Sequence, residues 1–179
     1  TEEQKRRFLP GIASGETIAT LAFTEENGGW DYDDCAATAT ASGDGYTING
    51  VKSFVLDGHI ADRIVVLARA PGTAGAVGLS LFVVDGGADG LTRRLLKSVD
   101  PTRKLARLEF NGVPGELLGE AGGAAGPMSK TLDLAVIVLA NEMVGGAERL
   151  REDALEYTRM RIQFGRSIAS FQVIKHKCA

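Results

Sequence analysis

The chain has 179 residues, of which 44% are apolar and 24% charged, and it carries 23 glycines and a net charge of −3. That length makes one domain or one and a fraction, and the composition excludes disordered and fibrous classes. With 20 basic against 23 acidic residues, bulk charge points neither to nucleic acid nor to an anionic membrane surface.

The chain opens on TEEQKRR, too charged for the apolar region of a signal peptide. It starts at Thr1 without a methionine and ends at Ala179 inside a helical pattern, so both ends are expected to be cut. From Thr17 to Asn111 the signals are those of strands. Thr17–Thr24 is β-branched and apolar. Cys35–Ser42 alternates Ala with Thr, and Gly43-Asp44-Gly45 supplies a turn. Tyr46–Ile48 is short, Asn49-Gly50 is a strong hairpin signal, and Lys52–Leu56 returns. Arg63–Ala70 and Leu79–Asp85 are firm strands, and Leu91–Leu96 and Leu105–Asn111 complete a set of about seven. Such spacing predicts an antiparallel barrel or two packed sheets.

Gly119–Gly126 reads as a glycine-alanine linker, with Pro127 fit for a first helical turn. Leu132, Val136, Leu139, Met143, Ala147, Leu150, Ala154 and Tyr157 then recur at helical steps. This predicts one long amphipathic helix ending near Phe164-Gly165. Ser170 can N-cap a second helix, still running at Ala179. The fold class is therefore α+β. The longest apolar stretch, Leu132–Ala147, carries Asp133, Asn141 and Glu142 and is too short to span a membrane.

Several chemistries are absent. Cys35 and Cys178 lie too far apart for a metal knuckle, and His59 and His176 are too few for a His-rich metal site. A reducing, cytoplasmic setting is the default. There is no Walker loop, Gly43-Asp44-Gly45 lacks the third glycine of a dinucleotide fingerprint, and no hydrolytic triad can be assembled. Two stretches remain. Phe23 to Asp31 ends a strand in a hydroxyl, then adds two glycines, an indole and an acid. That suits close backbone approach to a flat polar ligand, or it is a plain strand exit. Arg159, Arg161, Gln163, Phe164 and Arg166 precede Phe171-Gln172. An arginine fork with an aromatic three residues on suits a phosphate beside a stacked ring, or it is a basic helix end.

In order and spacing, four segments together resemble the acyl-CoA dehydrogenase family. LAFTEENGGWD (21–31) looks like the family's TEPGAGSD region. DGYTINGVKSFVLDG (44–58) looks like its N-G-x-K-x-(W/F) region, and DPTRKLARLEFNGVPGELLGE (100–120) like the end of its middle domain. RMRIQFGRSIASFQVIKHKCA (159–179) is similar to its R-x-x-F-G…Q pattern. The resemblance implies the tail of an N-terminal helical domain (1–16), a middle β domain (17–118), a linker (119–126) and the first part of a C-terminal four-helix bundle (127–179).

It also implies FAD, and an acyl-CoA thioester oxidised between Cα and Cβ. Phe23 and Thr24 would lie against the pyrimidine side of the flavin, with Thr24 donating hydrogen bonds. Gly29 would let the backbone approach, and Phe54 would pack beside the isoalloxazine. Arg161, Phe164 and Gln172 would reach the FAD of a neighbouring subunit in a homo- or hetero-dimer or tetramer. Electron-transfer flavoprotein or another acceptor would take the electrons. Three departures stand out. Trp30 replaces a small hydroxyl residue at the cofactor phosphate, Leu56 replaces a threonine at flavin N5, and Ala135 stands where one branch has its glutamate base. No catalytic base is identifiable, since Glu142 does not match the family's position, and the segment alone is expected to be inactive. Two alternatives follow: a non-catalytic subunit that completes a neighbour's FAD site, or an acyl-CoA oxidase or flavin monooxygenase of the same fold.

Overall fold

The computed structural model describes residues 1–43 and 45–178, so Asp44 of the predicted turn and the helix end at Ala179 lie outside the described residues. Two compact units emerge, Thr1–Ser129 and Lys130–Ala179.

The first unit begins with α1 (Glu2–Ser14), capped by the Thr1 hydroxyl on the Gln4 amide and closed by Gly15. Seven strands follow: β1 (Ala19–Ala22), β2 (Thr38–Ser42), β3 (Gly45–Leu56), β4 (Arg63–Arg69), β5 (Leu79–Asp85), β6 (Leu91–Leu95) and β7 (Leu105–Leu118). Five of them close a ring, in the order β4-β2-β3-β7-β5 and back to β4. β1 extends from β4, and β6 from β7. The α+β class and the strand number are as the sequence predicts. The ladders are antiparallel except where β1 and β2 meet β4. Ile48, Ile64, Val66, Leu79, Phe82, Val84, Leu108 and Val113 fill the interior, each at most 1% exposed. Gln4 donates to the Leu117 carbonyl at 2.7 Å and Arg7 pairs with Glu116, so α1 is held on the end of β7.

Asn49-Gly50 is not a hairpin. β3 runs straight through it, and the last described pair of the β2–β3 ladder is Ser42 with Gly45. The local signal is used differently here. Asn49 accepts the Gly112 amide at 2.8 Å, at a bulge in the β3–β7 ladder. Gly50 holds φ at 137°, where an added Cβ would lie 2.8 Å from Ala37 Cα. A second bulge sits further along. Between the pairs Lys52–Leu108 and Val55–Ala106, Ser53 and Phe54 of β3 oppose Arg107 of β7. It lets Lys52 and Val55, three apart, both face inward.

In the second unit, α2 (Ala125–Met160) continues from its first turn in the first unit. Its apolar stripe is exposed: Val136, Met143, Leu150 and Tyr157 each keep more than half of their surface. α2 ends at Met160, before the predicted stop at Phe164-Gly165. A small hairpin follows, β8 (Ile162–Gln163) against β9 (Arg166–Ser167). Phe164 (φ 54°) and Gly165 (φ 75°) form its turn, the double positive-φ geometry of a tight two-residue hairpin. Ser170 does not cap a helix. Its hydroxyl donates to the Ser167 carbonyl, and α3 (Gln172–Cys178) begins after Phe171. No helix among the described residues is long and apolar enough to cross a membrane.

The crowding at Gly50 sets an expectation. Gly50→Ala should destabilise the β unit by about 1–3 kcal/mol, through backbone strain and the clash with Ala37. A lowered midpoint in urea would show it, and an unchanged midpoint would contradict the packing described.

Candidate functional site

One end of the barrel gathers the first candidate stretch. β1 finishes at Ala22, and the chain continues as Phe23-Thr24-Glu25. Thr24 is buried and pairs twice with the bulged Ser53. Its carbonyl accepts the Ser53 amide at 3.0 Å, and its hydroxyl donates to the Ser53 carbonyl at 2.5 Å. The single hydroxyl proton is thereby used. In this geometry the hydroxyl keeps its oxygen lone pairs as acceptors.

The same bulge turns Phe54 outward. Its φ is 60°, rare for an aromatic residue, and the ring is 45% exposed. Such strain persists only where surrounding structure imposes it, and it clusters at ligand sites. Beside Phe54, Gly28 also has positive φ (69°), and a Cβ there would come 3.7 Å from the Phe54 ring. Close approach therefore falls on Gly28 as much as on Gly29, whose amide bonds the Asn27 side chain. Trp30 stands edge-on to Phe23 at 5.9 Å and keeps half of its surface exposed. Leu56 is exposed at the end of β3, and its carbonyl accepts the Thr20 hydroxyl at 2.6 Å. Phe23, Thr24, Gly29, Trp30, Phe54 and Leu56 thus all belong to the first unit, with Thr24 and Phe54 coupled through one bulge.

Beneath this rim lies a cluster absent from the sequence-predicted site. Lys52 is fully buried. Its ammonium donates to Glu25 at 2.8 Å, to the Phe23 carbonyl at 3.3 Å and to the Cys35 sulfur at 3.3 Å. Glu25 also accepts the Ala36 and Ala37 amides, each at 3.0 Å. Burial pushes the Glu25 carboxyl up, but the Lys52 charge, its hydrogen bond and the two amides outweigh that and hold it below the ordinary carboxylate value. Burial raises the Cys35 thiol, against the pull of Lys52. A raised thiol is not an activated nucleophile. Arg69, also buried, binds the Cys35 and Asp33 carbonyls and so ties down the following turn. The available signal was an acid directly after a strand and a lysine on an inward strand position. Among the described residues no group of His, Cys, Asp and Glu could hold a metal ion.

The second candidate stretch lies in the other unit. Arg161 follows α2 directly, its carbonyl accepting the Ile168 amide across the hairpin at 2.9 Å. Phe164 is 91% exposed at the turn and meets Phe171 edge-on at 6.1 Å. Arg166 lies 4.1 Å over the Phe171 ring. Gln172, at the start of α3, contacts His176 at 3.2 Å. Arg161 and Phe164 are therefore presented by a hairpin and not by one helix face.

The family model described as acyl-CoA dehydrogenase, middle domain, matches residues 20–113. The one described as acyl-CoA dehydrogenase, C-terminal domain, matches residues 123–179. The chain belongs to the acyl-CoA dehydrogenase family. A short-chain-specific acyl-CoA dehydrogenase of Megasphaera elsdenii is 35% identical over all of this chain and 48% of its own length. The butyryl-CoA dehydrogenase structure from Megasphaera elsdenii superposes with a TM-score of 0.94 at 33% identity, covering 99% of this chain and 48% of that one. The structure of an FAD-dependent dehydrogenase gives a TM-score of 0.92 at 30% identity, covering 99% of this chain and 49% of that one. The chain spans about half the length of the relatives it matches. Both candidate stretches fall within the acyl-CoA dehydrogenase domain matches.

Glu25→Gln should cost the β unit about 3–5 kcal/mol, because it leaves the Lys52 charge buried without its counter-charge. The pH dependence has a definite sign. The folded Glu25 pKa lies below the unfolded value of about 4.3, so its contribution is full above that value and is lost as pH falls through the folded pKa. Denaturant midpoints between about pH 6 and pH 3 should fall less steeply in the glutamine variant. Equal slopes in the two proteins would contradict the pairing.

Proposed function

We propose that this chain is part of an FAD-dependent acyl-CoA dehydrogenase, which forms a double bond between Cα and Cβ of an acyl-CoA thioester. The observation that carries the reading is the rim at the Ser53–Phe54 bulge. An exposed aromatic is held there at positive φ, next to a small-residue loop and a buried hydroxyl. These residues fit a flat ring with polar edges. Bound FAD would supply the two-electron acceptor of the oxidation.

Phe54 and Leu56 would offer apolar contact to the ring, and the Thr24 oxygen would accept from a ring N–H. Gly28 and Gly29 would leave room for backbone approach. Trp30, larger than the family's usual residue, would restrict the loop side. Arg161, Phe164 and Gln172 would bind a cofactor held by another subunit, Arg161 as a charge-assisted partner of the pyrophosphate. That role requires an oligomer, a homo- or hetero-dimer or tetramer. The base that removes the α-proton would come from outside these residues, and electron-transfer flavoprotein or a similar acceptor would reoxidise the cofactor.

The division into a helical tail (1–16), a β domain (17–118), a linker (119–126) and the first part of a C-terminal helical domain (127–179) belongs to the same reading. Two free thiols favour a reducing compartment, here taken as the cytoplasm.

FAD retention tests the reading. The intact protein should hold FAD through gel filtration, and Arg161→Ala should weaken it by about tenfold or more, as expected for loss of a hydrogen bond to a charged group worth about 1.5–3 kcal/mol. Unchanged FAD content in the variant would count against the assignment of Arg161.

A further inference from the structure

A buried ion pair is weak grounds for stability, since an apolar pair of similar volume usually serves as well. Lys52 therefore needs another explanation. It is fully buried, and each of its three ammonium protons has a partner: the Phe23 carbonyl, the Glu25 carboxylate and the Cys35 sulfur. Two of these partners flank Thr24 directly in sequence. The third, Cys35, lies at the far end of the loop that carries Gly28, Gly29 and Trp30. Glu25 closes that same loop from its other side, through the Ala36 and Ala37 amides.

We propose that the buried Lys52–Glu25 ion pair is a positioning device for the ligand rim, holding Thr24 and the Gly28–Trp30 loop in binding geometry before the cofactor arrives. The inference rests on the flavin reading above and deepens it. Each contact bears on an element of the rim. Phe23 O and Glu25 fix the backbone on both sides of Thr24, so its oxygen is aimed by the strand end as well as by Ser53. The two amides fix where residues 25–37 return to the barrel. Lys52 itself neighbours Ser53 and Phe54, so the bulge that presents the aromatic starts at the residue that anchors the loop. Without the pair the rim would have to be ordered on binding, at a cost in affinity.

Two variants of the intact protein test this, each titrated with FAD beside the wild type. Lys52→Met combined with Glu25→Gln removes both charges without leaving either one buried alone. It should remain folded but bind FAD about tenfold more weakly. In the cofactor-free state its amides at residues 26–37 should exchange faster, while those of β4 and β5 do not change. Glu25→Asp keeps both charges but draws the carboxylate back from the Ala36 and Ala37 amides. It should also lose several-fold in FAD affinity and lose protection at those two amides. FAD affinity within twofold of wild type in the folded variants would overturn the positioning role alone. No FAD binding by the wild type would overturn the flavin reading, and this role with it.

Discussion

A single ammonium group inside the barrel organises the end of the fold where β1 exits and the loop over residues 25–37 returns. Lys52 cannot be solvated where it sits, so the chain must bring oxygen and sulfur to it. Three segments comply: the exit from β1, the acid after Thr24, and Cys35 at the return of the loop. Glu25 then satisfies backbone amides of its own. The loop between them is left with little freedom at its ends, although it is exposed at its centre. A binding loop on a fixed base suits a ligand that must be held in one orientation.

The bulge at Ser53–Phe54 is the complementary constraint. A regular strand would alternate sides, and Lys52 and Val55 could not both face the core. The extra residue solves this and has two consequences. It frees Ser53 to pair with Thr24, and it forces Phe54 into a left-handed conformation with its ring outside. Core packing and the outward presentation of Phe54 thus come from the same local irregularity.

Much of this was legible in the sequence, and the failures have physical causes. The strands of the barrel follow from β-branched runs between turn residues, and the candidate residues follow from the order of four segments. Asn49-Gly50 misled because the dipeptide signals positive φ and not a hairpin as such; here that freedom serves a close approach to Ala37. α2 ends earlier than its periodicity predicts, and Phe164 takes a positive φ not expected of an aromatic residue. The Lys52–Glu25 pair is not legible in the sequence, because a charged residue in a strand normally points to water and their 27-residue separation hides the contact. The helical stripe of α2 was correctly periodic, but periodicity does not say what covers it.

The rim is proposed to serve flavin-dependent oxidation of an acyl-CoA thioester. The most direct measurement is anaerobic addition of acyl-CoA thioesters to the FAD-loaded intact protein, followed by visible absorption. The account predicts that the oxidised-flavin band bleaches in proportion to thioester added, with enoyl-CoA recovered as product. A band that stays unchanged across a series of acyl chains would contradict it.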